Sequence, residues 1–254
     1  MLAGFTQAAL DLVFPALCPL CQTTLGADRR DPLCGPCWQA ITRLGRPRCH
    51  VCGAAPPLAS DRRRRERAGL RRGGRARRAE ADPPPYDYAR SAAIFEGTLR
   101  EALHAFKFSG KRALARPLGD LAAEHCVATL AEEIEAVVPV PLAPGAGARA
   151  RLQSGGICSR RRVRAAARAC RPGRAELARV RTTRPQSDLA ASERRANVRG
   201  AFRASPEVSG RHVLVVDDVL TTGATLGECA RALRDGGARR VGVLTVARVP
   251  HPAV

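Results

Sequence analysis

Hydrophobic positions along the chain change their period several times, and the changes mark out its elements. Leu2, Phe5, Ala9, Leu12 and Val13 recur at helical spacing before Pro15, which predicts a short amphipathic helix over 2–13. Residues 54–85 offer almost nothing to bury. They are rich in Arg, Gly and Pro, end on Pro83-Pro84-Pro85, and read as a linker. From Tyr86 onward apolar periodicity returns. It predicts a strand at 91–95, a helix at 98–108, a longer helix at 113–134, and a buried strand in Val137-Val138-Pro139-Val140-Pro141. Nearer the C-terminus it predicts a strand at 211–217, a helix at 224–236 and a further strand at 240–246. Strands alternating with helices imply an α/β fold with a mostly parallel sheet.

Composition adds a core of ordinary size. The 254 residues are 45% hydrophobic, enough for one sizeable core plus a small module. No apolar run reaches the roughly 18–20 residues that span a bilayer, so no membrane insertion is expected. The N-terminus lacks a basic start and a small-residue cleavage site, and a cytoplasmic protein is the default expectation. The formal charge of +20 is concentrated: residues 61–80 carry ten Arg against three acids, and 149–174 carry nine Arg against none. The rest of the chain is near neutral. These two runs could engage DNA phosphates in a salt-sensitive way, but no aromatic residues interleave them to stack bases.

The ten cysteines need an explanation that suits a reducing compartment, where closely paired thiols are more often metal ligands than disulfides. Six of them form the pairs Cys18-Pro-Leu-Cys21, Cys34-Gly-Pro-Cys37 and Cys49-His-Val-Cys52, separated by 12 and 11 residues. Two such pairs supply the four ligands of a tetrahedral structural zinc, whose binding energy would fold a small module. Cys18, Cys21, Cys34 and Cys37 are the expected set. Trp38 to Leu44 continue the second pair in a helical pattern, so that pair can sit at a helix start opposite the first. Cys49 and Cys52 are less certain zinc ligands, because no fourth pair follows them, and His50 between them is a weak candidate. Buried thiols or a redox CxxC are the competing readings. Lone residues such as His104, His125, Cys126 and Cys229 read as packing positions.

The segment with the most specific chemistry is Val213-Leu-Val-Val-Asp217-Asp218-Val219-Leu220-Thr221-Thr222-Gly223-Ala224-Thr225. Four apolar residues predict a buried strand, two carboxylates stand at its carboxyl end, and a Thr/Gly turn opens a helix. Ligands of open α/β sheets bind at that end of the strands. Backbone N–H groups, Thr hydroxyls and the helix dipole of such a turn can wrap a phosphate, and Gly223 lets the backbone approach it closely. Asp217 and Asp218 are placed to accept hydrogen bonds from ribose hydroxyls, directly or through a metal ion.

This segment resembles the 5-phosphoribosyl 1-diphosphate (PRPP) motif of type I phosphoribosyltransferases. With the cysteine pairs, the chain resembles the ComF family of competence-related, amidophosphoribosyltransferase-like proteins. Further family-like pieces are Pro84-Pro-Tyr-Asp-Tyr-Ala89, Phe95-Glu-Gly-Thr-Leu-Arg100, Lys107-Phe108-Ser-Gly110, Val138-Pro-Val-Pro141, Arg181-Thr-Thr-Arg-Pro-Gln186, Ser192-Glu-Arg-Arg-Ala-Asn197 and Gly200-Ala-Phe202. The resemblance implies a type I phosphoribosyltransferase-like parallel sheet flanked by helices, with an N-terminal zinc ribbon. It implies that Asp217 and Asp218 hold the ribose and are the catalytic residues, that Val219, Leu220, Thr221, Thr222, Gly223, Ala224 and Thr225 complete the PRPP site, and that Thr221 to Thr225 hold the 5′-phosphate. Mg²⁺ would accompany the diphosphate. Lys107 and Arg194 are candidate diphosphate contacts, with ordinary surface cations as the competing reading, and residues 181–200 would form a mobile cover.

Two departures from the family pattern coincide with the Arg-rich runs. Where relatives show Arg-Gly-Phe-Asn-Gln, this chain has Arg151-Leu-Gln-Ser-Gly155, and where a fourth CxxC is usual it has arginines at 58–80. Arg-Leu-Gln-Ser-Gly can be encoded by letters that spell Gly-Phe-Asn-Gln when read one position later, so local reading-frame shifts are a hypothesis for both runs, with genuine basic runs as the rival reading; the nucleotide sequence tests it. The expected organisation is a cysteine module at 1–57, a linker at 58–85 and a phosphoribosyltransferase-like domain at 86–250. Three functions fit it: a PRPP-dependent transferase, an accessory protein of DNA uptake that binds single-stranded DNA or competence machinery, and a structural adaptor with a relic pocket.

Overall fold

The computed structural model describes residues 16–26, 31–45, 49–54, 82–126, 134–142, 176–184 and 190–250. The predicted helix at 2–13, most of the linker and the whole of 149–174 lie outside these residues. The described elements run, in chain order, α1 (Gly35–Gln39), β1 (Tyr88–Ile94), α2 (Gly97–Phe108), a 3₁₀ turn (Arg112–Leu114), α3 (Ala115–Cys126), β2 (Ala136–Pro139), β3 (Leu177–Arg179), α4 (Ala191–Val198), β4 (Phe202–Ala204), a second 3₁₀ turn (Pro206–Val208), β5 (His212–Leu220), α5 (Ala224–Asp235) and β6 (Arg240–Arg248).

Four strands form a parallel sheet in the order β1-β6-β5-β2, and β3 with β4 forms a separate antiparallel pair. The central strands β5 and β6 read as near-continuous apolar runs because helices cover both faces. Side chains alternate between two cores as the pleat requires. Leu214, Val216, Leu244 and Val246 pack with α2, α3 and the cysteine module, while Val213, Val215, Val241 and Val243 pack with α5 and the β3–β4 pair. Gly242 is required at one contact: a Cβ there would lie 2.3 Å from the ring of Tyr88, its register partner on β1. The Tyr88 hydroxyl in turn hydrogen-bonds His212 Nε2 at 2.9 Å, which satisfies both buried polar groups.

The ladder moves several predicted boundaries. β1 begins at Tyr88 instead of 91 because Tyr88 pairs with Gly242. β5 runs three residues past Asp217 because β6 continues beside it, Val219 opposite Ala247 and Leu220 opposite Arg248. The described part of the predicted helix 113–134 is a 3₁₀ turn followed by α3 up to Cys126, residues 127–133 lie outside the described residues, and Ile134 is buried just before β2. Pro117 is accommodated in the first turn of α3, where a missing N–H costs nothing.

Candidate functional site

The first cysteine pair sits in a tight knuckle. Cys18 N–H donates to Thr23 O at 2.9 Å, Gln22 N–H returns to Cys18 O at 2.9 Å, and Gln22 takes a φ of 60° to close the turn. Cys34 caps the five-residue helix α1 and Cys37 lies within it. The two pairs meet: Cys18 Sγ is 3.8 Å from Cys37 Sγ, Cys21 Sγ is 3.5 Å from Cys34 Sγ, and all four sulfurs lie within 4.8 Å of one another. A tetrahedral ion about 2.3 Å from each sulfur demands edges of about 3.8 Å, so the set fits zinc. Hydrogen bonds from Thr23 lower the Cys21 thiol to about 6, whereas burial and the neighbouring sulfurs push Cys37 far up. Four thiols this close cannot all ionise alone, and a bound dication is what would let them.

The third pair folds into the same knuckle but does not join the cluster. Cys49 N–H donates to Ala54 O at 2.8 Å, Gly53 N–H donates to Cys49 O at 2.9 Å, and Gly53 has a φ of 71°. Among the described residues no second pair faces it, and His50 is exposed. The sheet holds it instead: Ala89 N–H donates to Val51 O at 2.6 Å, Arg90 Nη1 to His50 O at 2.9 Å, and Arg248 to Cys52 O. The module also extends the sheet edge through Leu44 N–H to Ala92 O and Ile94 N–H to Thr42 O, each 2.9 Å.

At the carboxyl end of β5, Asp217 and Asp218 are half-buried beside each other, and Asp218 N–H donates to Asp217 Oδ1 at 2.9 Å. Burial and the Asp218 charge push Asp217 up to about 7. Lys107, from the last turn of α2, reaches Asp218 Oδ2 at 2.6 Å. The chain then bends through Thr221-Thr222-Gly223. Gly223 caps α5 with a φ of 79°, a left-handed conformation that costs glycine nothing. A Cβ there would meet Leu220 and Tyr86 only at ordinary contact distance, so its backbone angle is what calls for glycine. Thr222 Oγ1 accepts from Ala224 N–H at 3.4 Å, and Leu220 is buried, leaving only its backbone to offer the turn.

Arg194 lies on α4, which packs against α5. The expected cover at 181–200 is tied together by polar bonds that sequence reasoning did not single out. Asn197 Oδ1 accepts from Arg184 N–H at 3.1 Å and its Nδ2 donates to Arg184 O at 3.0 Å, while Glu228 of α5 accepts from Gly200 N–H at 2.7 Å. The signal for Glu228 is an acid on the buried face of an amphipathic helix. Cys126 and Cys229 are packing positions, as expected. His104 is not: it is exposed and its ring lies on Phe108.

A parallel sheet with a carboxylate pair and a Thr/Gly turn before a helix, joined to a four-cysteine knuckle cluster, defines a phosphoribosyltransferase-type α/β domain bearing a zinc ribbon. Residues 9–67 match the double zinc ribbon domain, and residues 163–254 match the phosphoribosyl transferase domain. The chain is 30% identical over 241 residues to the DNA utilization protein YhgH of Escherichia coli (strain K12), covering 93% of this chain and 99% of that one. It is 41% identical over 73 residues to competence protein F of Haemophilus influenzae, 28% of this chain and 32% of that one. A segment is 52% identical over 42 residues to the adenine phosphoribosyltransferase of Rhodococcus jostii, 16% of this chain and 24% of that one. The chain belongs to the ComF/YhgH family of proteins that join a double zinc ribbon to a phosphoribosyltransferase domain. No helix of the described residues is long and apolar enough to cross a membrane.

Proposed function

We propose that the chain binds PRPP with Mg²⁺ at the β5–α5 turn and acts as a phosphoribosyltransferase, in the setting of competence or DNA utilization. The observation that carries this reading is the turn: a left-handed Gly223 at the start of α5, five residues after the second of two half-buried carboxylates. Thr221 to Thr225 would hold the 5′-phosphate through backbone N–H groups and hydroxyls at the positive end of α5. Asp217 and Asp218 would accept the ribose hydroxyls. They also suit Mg²⁺, which prefers carboxylate oxygens, and Asp218 already attracts a cation in Lys107 Nζ. When bound, the ion would neutralise diphosphate charge. Lys107 and Arg194 are the side chains offered to the diphosphate, and Lys107 would leave Asp218 to reach it. The cysteine module at 1–57 would hold one structural zinc on Cys18, Cys21, Cys34 and Cys37, with 86–250 as the transferase domain.

Diphosphate release from PRPP, followed with each of the common nucleobases as acceptor, tests the activity. Release that requires Mg²⁺ and disappears in Asp217→Asn supports it; no release with any acceptor removes turnover from the reading. With Asp217 protonated up to about pH 7, PRPP affinity should rise between pH 6 and 8, because cations and hydroxyl donors favour its ionised form. The names of the relatives favour one second reading, an accessory protein that binds single-stranded DNA. A gel shift lost in Cys37→Ser and kept in Asp217→Asn would support that instead.

A further inference from the structure

Phe108, the last residue of α2, is 73% exposed, more than any other large apolar side chain among the described residues. It is not isolated. Its ring lies on that of His104, one turn earlier, with centroids 4.7 Å apart and planes tilted by 45°. His104 belongs to the wall of an open cleft of about 430 Å³, together with Arg100 and Glu101 of α2. The opposite wall is Pro19 and Leu20, the two residues between Cys18 and Cys21 at the tip of the first knuckle. The helix thus turns two faces to different tasks: Lys107 bonds Asp218, while Arg100, His104 and Phe108, at spacings of four, share another side. Lys111 and Arg112 follow and are exposed.

An aromatic platform beside cations is complementary to a flat, electron-rich ring that carries negative charge. Bases of every kind present such a face, and stacking on one aromatic side chain is worth about 1–3 kcal/mol per base. A strand of nucleic acid calls for successive platforms along a groove. Phe108 is the one aromatic residue among the exposed large apolar side chains described, which favours a single base. We propose that the exposed Phe108–His104 pair, on the His104 side of the cleft between the first zinc knuckle and α2, takes the heteroaromatic base of a mononucleotide-sized ligand on the outer face of Phe108, with Arg100 and the cations after Phe108 facing its anionic part. Asp217, Asp218 and Lys107 do not line this cleft, so as a base-binding site it stands apart from the phosphoribosyl reading.

The test uses the full-length, zinc-loaded chain and AMP as probe, with affinity from calorimetry and contact from saturation-transfer NMR on the adenine protons. Wild type and Phe108→Tyr should bind AMP, and Phe108→Ala should bind about tenfold more weakly or worse, as expected for one lost stack. Zinc content and melting temperature show that each variant folds; an exposed ring can be removed without opening the core. Equal AMP affinity in wild type and Phe108→Ala overturns the proposal, as does a wild type that binds no AMP. So does a Phe108→Ala variant that loses only a short oligothymidylate, which would assign Phe108 to a strand-binding surface. PRPP with Mg²⁺ is titrated in parallel. Phe108-dependent AMP binding without PRPP binding removes the phosphoribosyl reading and leaves the cleft standing; the converse removes the cleft alone.

Discussion

The knuckles at Cys18–Cys21 and Cys49–Cys52 share one backbone design and meet opposite surroundings. Each closes with the same pair of backbone hydrogen bonds and a positive φ at the residue after its second cysteine, Gln22 or Gly53. The first faces a second cysteine pair and completes a set of four sulfurs; the other faces β1 and β6 and is held by Ala89, Arg90 and Arg248. A knuckle is therefore a local property of CxxC and its turn, whereas a metal site is a property of what the fold brings opposite. Where no second pair arrives among the described residues, sheet contacts hold the knuckle.

That contrast can be broken in order of effect. Cys37→Ser should cost most of the roughly 10–16 kcal/mol that a structural zinc contributes, seen as loss of zinc from the purified protein and melting of the module. Gly53→Ala should cost about 2–3 kcal/mol in chemical denaturation, because the new Cβ would lie 2.4 Å from the Ala89 carbonyl at a φ of 71°. Cys49→Ser should cost only about 1–2 kcal/mol, the burial of an ill-matched hydroxyl, and should leave zinc content at one ion per chain; a fall in zinc would show that the third knuckle is a ligand after all. Gln22→Gly should stabilise slightly, by about 0.5 kcal/mol, since relief at positive φ outweighs the added chain entropy. A gain there with a loss at Gly53 would confirm that the turn is common and the surroundings are not.

The same division governs what was legible in the sequence. The strand, turn and helix from Val213 to Thr225 were readable because their signals are local: a continuous apolar run, then acids, threonines and a glycine. Its boundary was not, because β5 ends where β6 stops pairing with it, beyond Asp218. The four-cysteine set was readable from spacing. The β3–β4 pair and α4 went unseen as elements, since each strand holds three residues and α4 is mostly polar, with Val198 its buried residue among those described. The contact of Lys107 with Asp218 joins segments far apart in the chain, and Phe106 and Phe108 look alike in sequence although one is buried and the other exposed. Only tertiary structure separates them.

Calorimetric titration of the full chain with PRPP and Mg²⁺ at pH 8, wild type against Asp217→Asn, bears most directly on the pocket at the β5–α5 turn. Saturable binding by wild type, weakened at least a hundredfold in Asp217→Asn while zinc content stays unchanged, is the predicted result. Equal affinity in the two proteins, or no heat of binding from a folded, zinc-loaded wild type, would contradict it.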